Sequence, residues 1–407
     1  MADSRVNLFS WLRKRVEEAD LDLVRELLKA IAEILMGAEA DSVCGAEYGQ
    51  RSDERMNRRN GYRERKWDTR AGSIPLAVPK LRKGTYFPEW LLQRRRRAER
   101  ALVQVVTECY VRGVSTRRVD GLVQAMGIEG ISKSQVSEMA RSLDEVVEGF
   151  RNRPLDQGPY RYLWLDALTQ RCREGGRVVN VVVVIATAVN ADGRRELLGL
   201  DIFTSEDETA WCDFLRSLVE RGLNGVLLVI SDAHGGLKAA IASVLPGAAW
   251  QRCRTHFAKN LLSRVPKSAQ SLVSALNRSI FAQPTPEEVL AQHNRVVEQL
   301  RGRFDQAADL LEDAAEEVLA FASFPKTHWR QIWSNNPQER LNREIRRRTN
   351  VVSIFPNREA ITRLVGAVLA EQNDEWICAR RYMSLESLKK LQEIPAVQME
   401  ERKQLAA

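Results

Sequence analysis

Three carboxylates stand in three separate settings. Asp166 closes the run YLWLDA, Asp232 follows the apolar run in VLLVISDAHGG, and Glu339 sits in the basic segment NNPQERLNREIRRRT. Two aspartates at strand ends and a glutamate on a later helix can converge on a pair of divalent cations. Three hard oxygen donors suit Mg²⁺ or Mn²⁺, whereas zinc recruits cysteine or histidine. Two such ions activate water or a 3′-hydroxyl for in-line attack at phosphorus and steady the leaving oxygen. That is the chemistry of cutting and joining DNA.

Each acid also has a purely structural explanation. Asp166 can end a strand in a turn, and Asp232 can cap the helix that follows it. Glu339 falls at the third helical position if Asn336 is the cap and Pro337 the first residue, which is the capping-box place. Glu344 competes with it on the same helix, but Arg340, Arg347 and Arg348 share the Glu344 face and pair it, leaving Glu339 the better metal ligand. Arg340, Arg343, Arg346 and Arg347 can hold phosphates beside the acids, or form a solvated basic face. Cys253 and His256 in QRCRTHF have half of a zinc spacing with no second pair, so a structural role beside the acids is expected. Trp329 and Trp333 can stack on an unpaired base, although aromatics four apart are more often helix core.

Composition sets the frame for these residues. A chain of 407 residues, 44% hydrophobic, is long enough for two or three folded domains. No apolar run spans a bilayer, since Asn180 interrupts the longest, and MADSRVNLFSWLRKRVEEAD lacks the apolar core of a signal peptide. A cytoplasmic protein with no membrane partner is the expectation. The six cysteines are scattered without a CxxC pair, so reduced thiols are expected. Residues 51–100 hold 16 Lys and Arg against 6 Asp and Glu, while the whole chain is only +8. A basic block in an otherwise balanced chain points to a polyanion, because neutralising phosphates releases counterions.

The elements that must position the acids follow from periodicity. Residues 20–38 read as a helix with Leu21, Val24, Leu28, Ile31 and Leu35 on its apolar face. Asn60-Gly61 signals a turn, and GSIPLAVPKLR an extended basic β element. Between 101 and 150 two short helices are expected. In the first, Ser115 is the cap, Val119, Leu122, Val123 and Met126 form one face, and Gly127 is the stop. In the second, Ser132 and Gln135 form a capping box over a stripe of Val136, Met139, Ala140 and Leu143. Lys133, Ser134, Ser137 and Arg141 then face outward, as on the second helix of a helix-turn-helix over about 115–143.

From Arg161 the pattern is α/β. Strands are expected at 160–165, 178–189 and 196–203, then a helix at 209–220, a strand at 225–231, a helix at 236–244 and a short strand at 248–252. This is the element order of a ribonuclease-H-like core. A long helical interval, 255–333, separates it from the glutamate helix, and 358–391 is helical again. The division expected is a mainly helical DNA-binding region over 1–153, a first core segment over 154–254, an all-helical insertion over 255–333, and core completion over 334–407.

RNGYRER, GVSTRRVDGLVQAMGIEGISKSQVS, YLWLDA, LVISDAHGGLKAAI, WQRCRTHF, NPQERLNREIRRRT, VVSIFPN and EQNDEW occur in an order that resembles the Mutator-like transposases of bacterial insertion sequences. The resemblance runs from about residue 20 to 390. It implies a DDE triad of Asp166, Asp232 and Glu339, with Cys253 and His256 as the family's C-x-x-H signature. It implies metal-dependent cleavage at terminal inverted repeats and transfer of the 3′-hydroxyl into target DNA. It also implies double-stranded DNA as partner, a homo-oligomer of at least a dimer on paired ends, and a nucleoid-associated bacterial protein. After Asp166 the family pattern resembles YVKVRE, whereas this chain has Thr169-Gln170-Arg171-Cys172. A DNA-binding regulator and a different ribonuclease-H-like nuclease are the competing functions.

Overall fold

The valine run at 178–189 is apolar on both faces, which suits a strand covered on both sides. In the computed structural model it is the second strand of a five-stranded mixed sheet. The structure describes residues 21–392 apart from 70, 93–97, 99, 127 and 129. The segment 1–20, read above for a signal peptide, and the expected stop at Gly127 lie outside the described residues. The chain divides into two compact units, 1–142 and 143–407.

In the first unit, α1 (Leu21–Cys44) packs on a hairpin of β1 (Arg59–Thr69) and β2 (Gly72–Leu81). Ala32 and Met36 join Trp67, Ile74, Leu76 and Val78 in that core. The apolar face expected for α1 is corrected here. Val24, Ile31 and Leu35 are exposed, and the buried stripe is Leu23, Ala32, Met36 and Ala40. A three-and-four spacing exists on both sides of this apolar helix, so periodicity alone does not choose the side. Asn60-Gly61 is not the hairpin turn either. It makes an irregularity inside β1, where Gly61 takes φ +75°.

Among the described residues four helices rather than two occupy 101–150, three of them in this unit: α2 (Arg100–Val111), α3 (Thr116–Ala125) and α4 (Lys133–Ala140). Ser115 caps α3 through the Arg118 N–H, and Ser132 and Gln135 form a reciprocal capping box on α4. Val119, Val123 and Val136 are buried with Leu102 and Val106 of α2. Leu122 is 42% exposed, and Leu143 does not belong to α4 but opens α5 (Leu143–Asn152), so both leave the expected stripes.

In the second unit β3 (Tyr162–Glu174), β4 (Arg177–Val189) and β5 (Arg195–Phe203) form an antiparallel meander. Gly175 and Gly176 make the first turn, both with positive φ, as a two-residue hairpin requires. Helix α6 (Glu208–Glu220) leads to β6 (Leu228–Ser231), then α7 (Gly235–Val244) to β7 (Ala249–Arg252). β6 pairs parallel with β3 and β7 parallel with β6, giving the order β5-β4-β3-β6-β7.

One face of the sheet buries Leu163, Leu165, Val184 and Val229 against Trp211, Leu215, Leu237 and Ile241 of α6 and α7. The other buries Tyr162, Trp164, Leu228 and Ile230 against α8 (Arg254–Ser263), α9 (Gln270–Ile280), α10 (Pro286–Leu300), α11 (Asp305–Asp313), α12 (Ala315–Leu319) and α13 (Trp329–Ile332). The stretch 254–333 thus shares its core with the sheet. The basic helix α14 (Asn336–Val352) follows, then α15 (Arg358–Cys378) and α16 (Leu385–Gln392).

α15 crosses α5 at Gly366, where a methyl group would press on both methyls of Val147. Gly366→Ala is expected to lower stability by about 1–3 kcal/mol through overpacking. Adding Val147→Ala should recover part of that loss in urea unfolding, and a single variant as stable as the parent would refute the contact.

Candidate functional site: acids at the carboxyl end of the parallel strands

Asp166 is not at a strand end, as expected, but is the fifth residue of a 13-residue strand. The apolar run stops at Leu165, yet β3 continues because β4 pairs with it as far as Glu174. What ends near Asp166 is the neighbour. β6 pairs with β3 at Tyr162–Leu228, Leu163–Val229 and Trp164–Ile230, and Asp232 follows directly after β6. Two further steps in this register bring Asp166 level with Asp232 on strands about 4.8 Å apart. β7 ends beside β6, where the Cys253 N–H donates to Ser231 O at 2.7 Å. Three adjacent parallel strands thereby deliver Asp166, Asp232 and Cys253 to one edge of the sheet.

Asp166 accepts the Ala167 N–H at Oδ1 (2.9 Å) and the Asn342 side-chain amide at Oδ2. Burial pushes its carboxyl up to about 6 and the Asp232 charge adds to this, against the lowering effect of the two hydrogen bonds. His256, in the first turn of α8, ion-pairs through Nδ1 with Asp232 Oδ1. Its pKa rises to about 10, first through the bond to Asp232 and then through Cys253. One ligand atom each of Asp232, Cys253 and His256 lies within 4.8 Å of the others. Cys253 is buried, and its Sγ accepts the Asn335 N–H at 3.3 Å.

The third acid arrives on α14, whose start is tied to β3 by amide side chains. Asn335 donates to Leu165 O (3.1 Å), and Gln338 donates to Trp164 O (3.1 Å) and to Thr187 Oγ1 (3.0 Å). In return the Trp164 indole donates to Ser334 O at 3.3 Å. Asn342 completes the stripe at Asp166. Glu339, half-buried, is three residues before Asn342, about 60° around the helix and about 4.5 Å along it. The helix cap is Asn335, one residue earlier than expected, so Gln338 and not Glu339 takes the third position. The capping explanation for Glu339 therefore falls. Glu344 is engaged as expected with Arg347 and Arg348, which pull it down to about 2.

Asn335, Gln338 and Asn342 were not singled out from the sequence. Their i, i+3, i+7 spacing is the signal that they share one helix face. Nothing in the C-x-x-H spacing announced the His256 bond to Asp232, which depends on β7 lying beside β6.

Among the other expected site residues, Arg340, Arg343 and Arg346 are exposed on α14, while Arg347 is held by Glu344. Lys133 and Ser134 are exposed on α4, Ser137 is half-buried, and Arg141 lies just past the helix, paired with Glu138 at 3.0 Å. Base stacking by Trp329 and Trp333 is corrected. Trp329 is buried and donates to Phe324 O at 2.7 Å, and Trp333 lies edge-on to Phe281 and Phe321 with Arg254 over its ring. Both rings are committed to the helical core.

The described residues define a mixed α/β protein with carboxylates gathered at one edge of its sheet, and comparison with known proteins gives the family. The profile described as "Transposase, Mutator family" matches residues 3–379. The chain is 59% identical over 377 residues to the transposase for insertion sequence element IS1081 of Mycobacterium tuberculosis, covering 93% of this chain and 91% of that one. It is 39% identical to the transposase for ISRM5 of Rhizobium meliloti (90% and 92% covered). To the transposase for IS256 in transposon Tn4001 of Staphylococcus aureus it is 35% identical (90% and 94% covered). The chain belongs to the Mutator family of transposases.

The raised Asp166 pKa has a thermodynamic consequence in metal-free protein. The folded state holds this proton more tightly than the unfolded chain, so the contribution is complete below about pH 4 and lost as pH rises through about 6. Asp166→Asn is therefore expected to stabilise the chelator-treated protein by on the order of 1–3 kcal/mol at about pH 8, with little gain at about pH 4. Thermal melts at both pH values check this; an equal gain at both would show that titration of Asp166 is not the cause.

Proposed function

We propose that this transposase serves an insertion sequence, binding its terminal inverted repeats as double-stranded DNA and cutting and rejoining strands with Asp166, Asp232 and Glu339 as the acidic triad. The carrying observation is the level placement of Asp166 and Asp232 on neighbouring strands, with α14 tied to β3 one turn from Glu339. The strand order, three antiparallel strands followed by two parallel ones, supports a ribonuclease-H-like core with the stretch 255–333 inserted before the glutamate helix.

The donor set fits hard divalent cations. The Asp232 charge adds to the burial that raises the proton affinity of Asp166 at this edge, and a cation relieves that repulsion. When bound, a pair of Mg²⁺ or Mn²⁺ ions supplies activation of water or the 3′-hydroxyl and stabilisation of the leaving oxygen. The chain's own residues fix the geometry. The Ala167 N–H and Asn342 amide each hold one oxygen of Asp166, and His256 holds one oxygen of Asp232. Glu339 carries no capping duty, and Arg340, Arg343 and Arg346 present charge to phosphates on the same helix. α3 and α4 act as a helix-turn-helix through Lys133 and Ser134, and paired ends are held by at least a dimer.

Asp166→Asn, Asp232→Asn and Glu339→Gln should each lower Mg²⁺-dependent nicking and joining of end DNA by roughly a thousandfold or more, with end binding retained. Gel assays with labelled end duplexes read this directly. Strand transfer that persists in all three variants would rule the triad out.

A further inference from the structure

A groove of about 440 Å³ opens one residue beyond Asp166, between the edge of β3 and the C-terminal half of α14. Thr169, Gln170, Arg171 and Asn180 line it from the sheet, and Arg346 and Asn350 from the helix. Among the described residues Ala167 is the only apolar one that lines it and no acid does, so the site does not suit an apolar ligand. Arg171 and Arg346 are both exposed and, among the described residues, neither has a carboxylate partner. Nearby arginines differ: Arg347 and Arg348 are held by Glu344, and Arg358 by Glu174. Two uncommitted guanidiniums with amide and hydroxyl groups between them are a recognition set for phosphate and sugar oxygens.

The backbone adds to this set. The parallel pairing of β3 with β6 stops at Trp164, and the next neighbour on that edge is Phe355, whose N–H bonds Arg171 O (2.8 Å) and whose carbonyl accepts the Arg173 N–H (3.0 Å). Odd-numbered residues of β3 therefore aim their main-chain groups at this edge, and Thr169 lies in the gap between the two neighbours. Ser353 on the rim holds φ +64° and ψ −56°, a strained conformation for a residue with a side chain, in the turn that brings Phe355 to the strand. At the near end, Ala167 both lines the groove and donates to Asp166.

We infer that this groove holds the sugar–phosphate backbone of the DNA strand being cut, on one side of the scissile bond, with Arg171 and Arg346 as its phosphate contacts. The inference rests on the function proposed above and names where that strand lies. Arg171 is five residues from Asp166, roughly 16 Å along the strand, so the contacts fall within a few nucleotides of the cut.

The test uses the full chain and duplexes carrying the gene's flanking end sequence, with single neutral methylphosphonates placed along the cut strand. Arg171→Ala/Arg346→Ala should weaken binding about tenfold or more and flatten the salt dependence by about two phosphate contacts, while Arg171→Lys/Arg346→Lys keeps most of the slope. A methylphosphonate about two or three nucleotides from the scissile bond, on the side the groove holds, should weaken the parent protein but not the alanine variant. If the parent cuts DNA and the folded alanine variant binds with unchanged affinity and slope, the groove assignment is overturned and the function stands. If the slope falls as expected but the parent cuts nothing with Mg²⁺, the function is overturned and the groove contact stands.

Discussion

The arrangement depends on one set of hydrogen bonds, the amides of Asn335, Gln338 and Asn342 reaching from α14 to β3. Asn335 and Gln338 are wholly buried, and a buried amide without a partner costs about 1–3 kcal/mol. The helix therefore has a strong preference for one register along the strand. A slide of one residue would strand these amides and shift Glu339 along β3 with the helix that carries it. Ordinary apolar packing, which tolerates small shifts, would not fix an acid this closely.

The sheet supplies the complementary constraint. Parallel pairing of β3, β6 and β7 brings Asp166, within β3, to the level where β6 and β7 end and Asp232 and Cys253 follow. Burial of Trp164, Leu165, Leu228 and Val229 on the two faces holds the strands rigid just before that edge. Chemistry is thus placed where the apolar core stops. The cost is visible at Asp166, whose ionised form is disfavoured by its own burial and by Asp232. His256 offsets the second charge by ion pairing.

The helical stretch 254–333 does more than lengthen the chain. Its apolar residues cover one face of the sheet, and its end feeds directly into α14 through Trp333, whose carbonyl accepts the Arg254 N–H at 2.9 Å. Tyr162 of β3 meets His328 at 2.8 Å, where burial lowers the imidazole to about 4 and keeps it neutral. The stretch that separates the third acid in sequence is packed so that the helix bearing it starts at the strand bearing the first.

Local chemistry was legible in the residues themselves. The caps at Ser115 and Ser132, the strand and helix order from 160 to 252 and the Glu344 ion pairs all follow from contacts a few residues apart. The acids were recognisable because carboxylates after apolar runs are costly without a reason. What the tertiary structure decided was everything that needs a distant neighbour: which side of α1 is buried, that β3 runs on past Asp166, that His256 reaches Asp232, and that Trp329 and Trp333 are core. Periodicity describes a segment against an unspecified partner. Only the packed sheet and helices say which partner is there, because burial and hydrogen-bond pairing are properties of two surfaces rather than one.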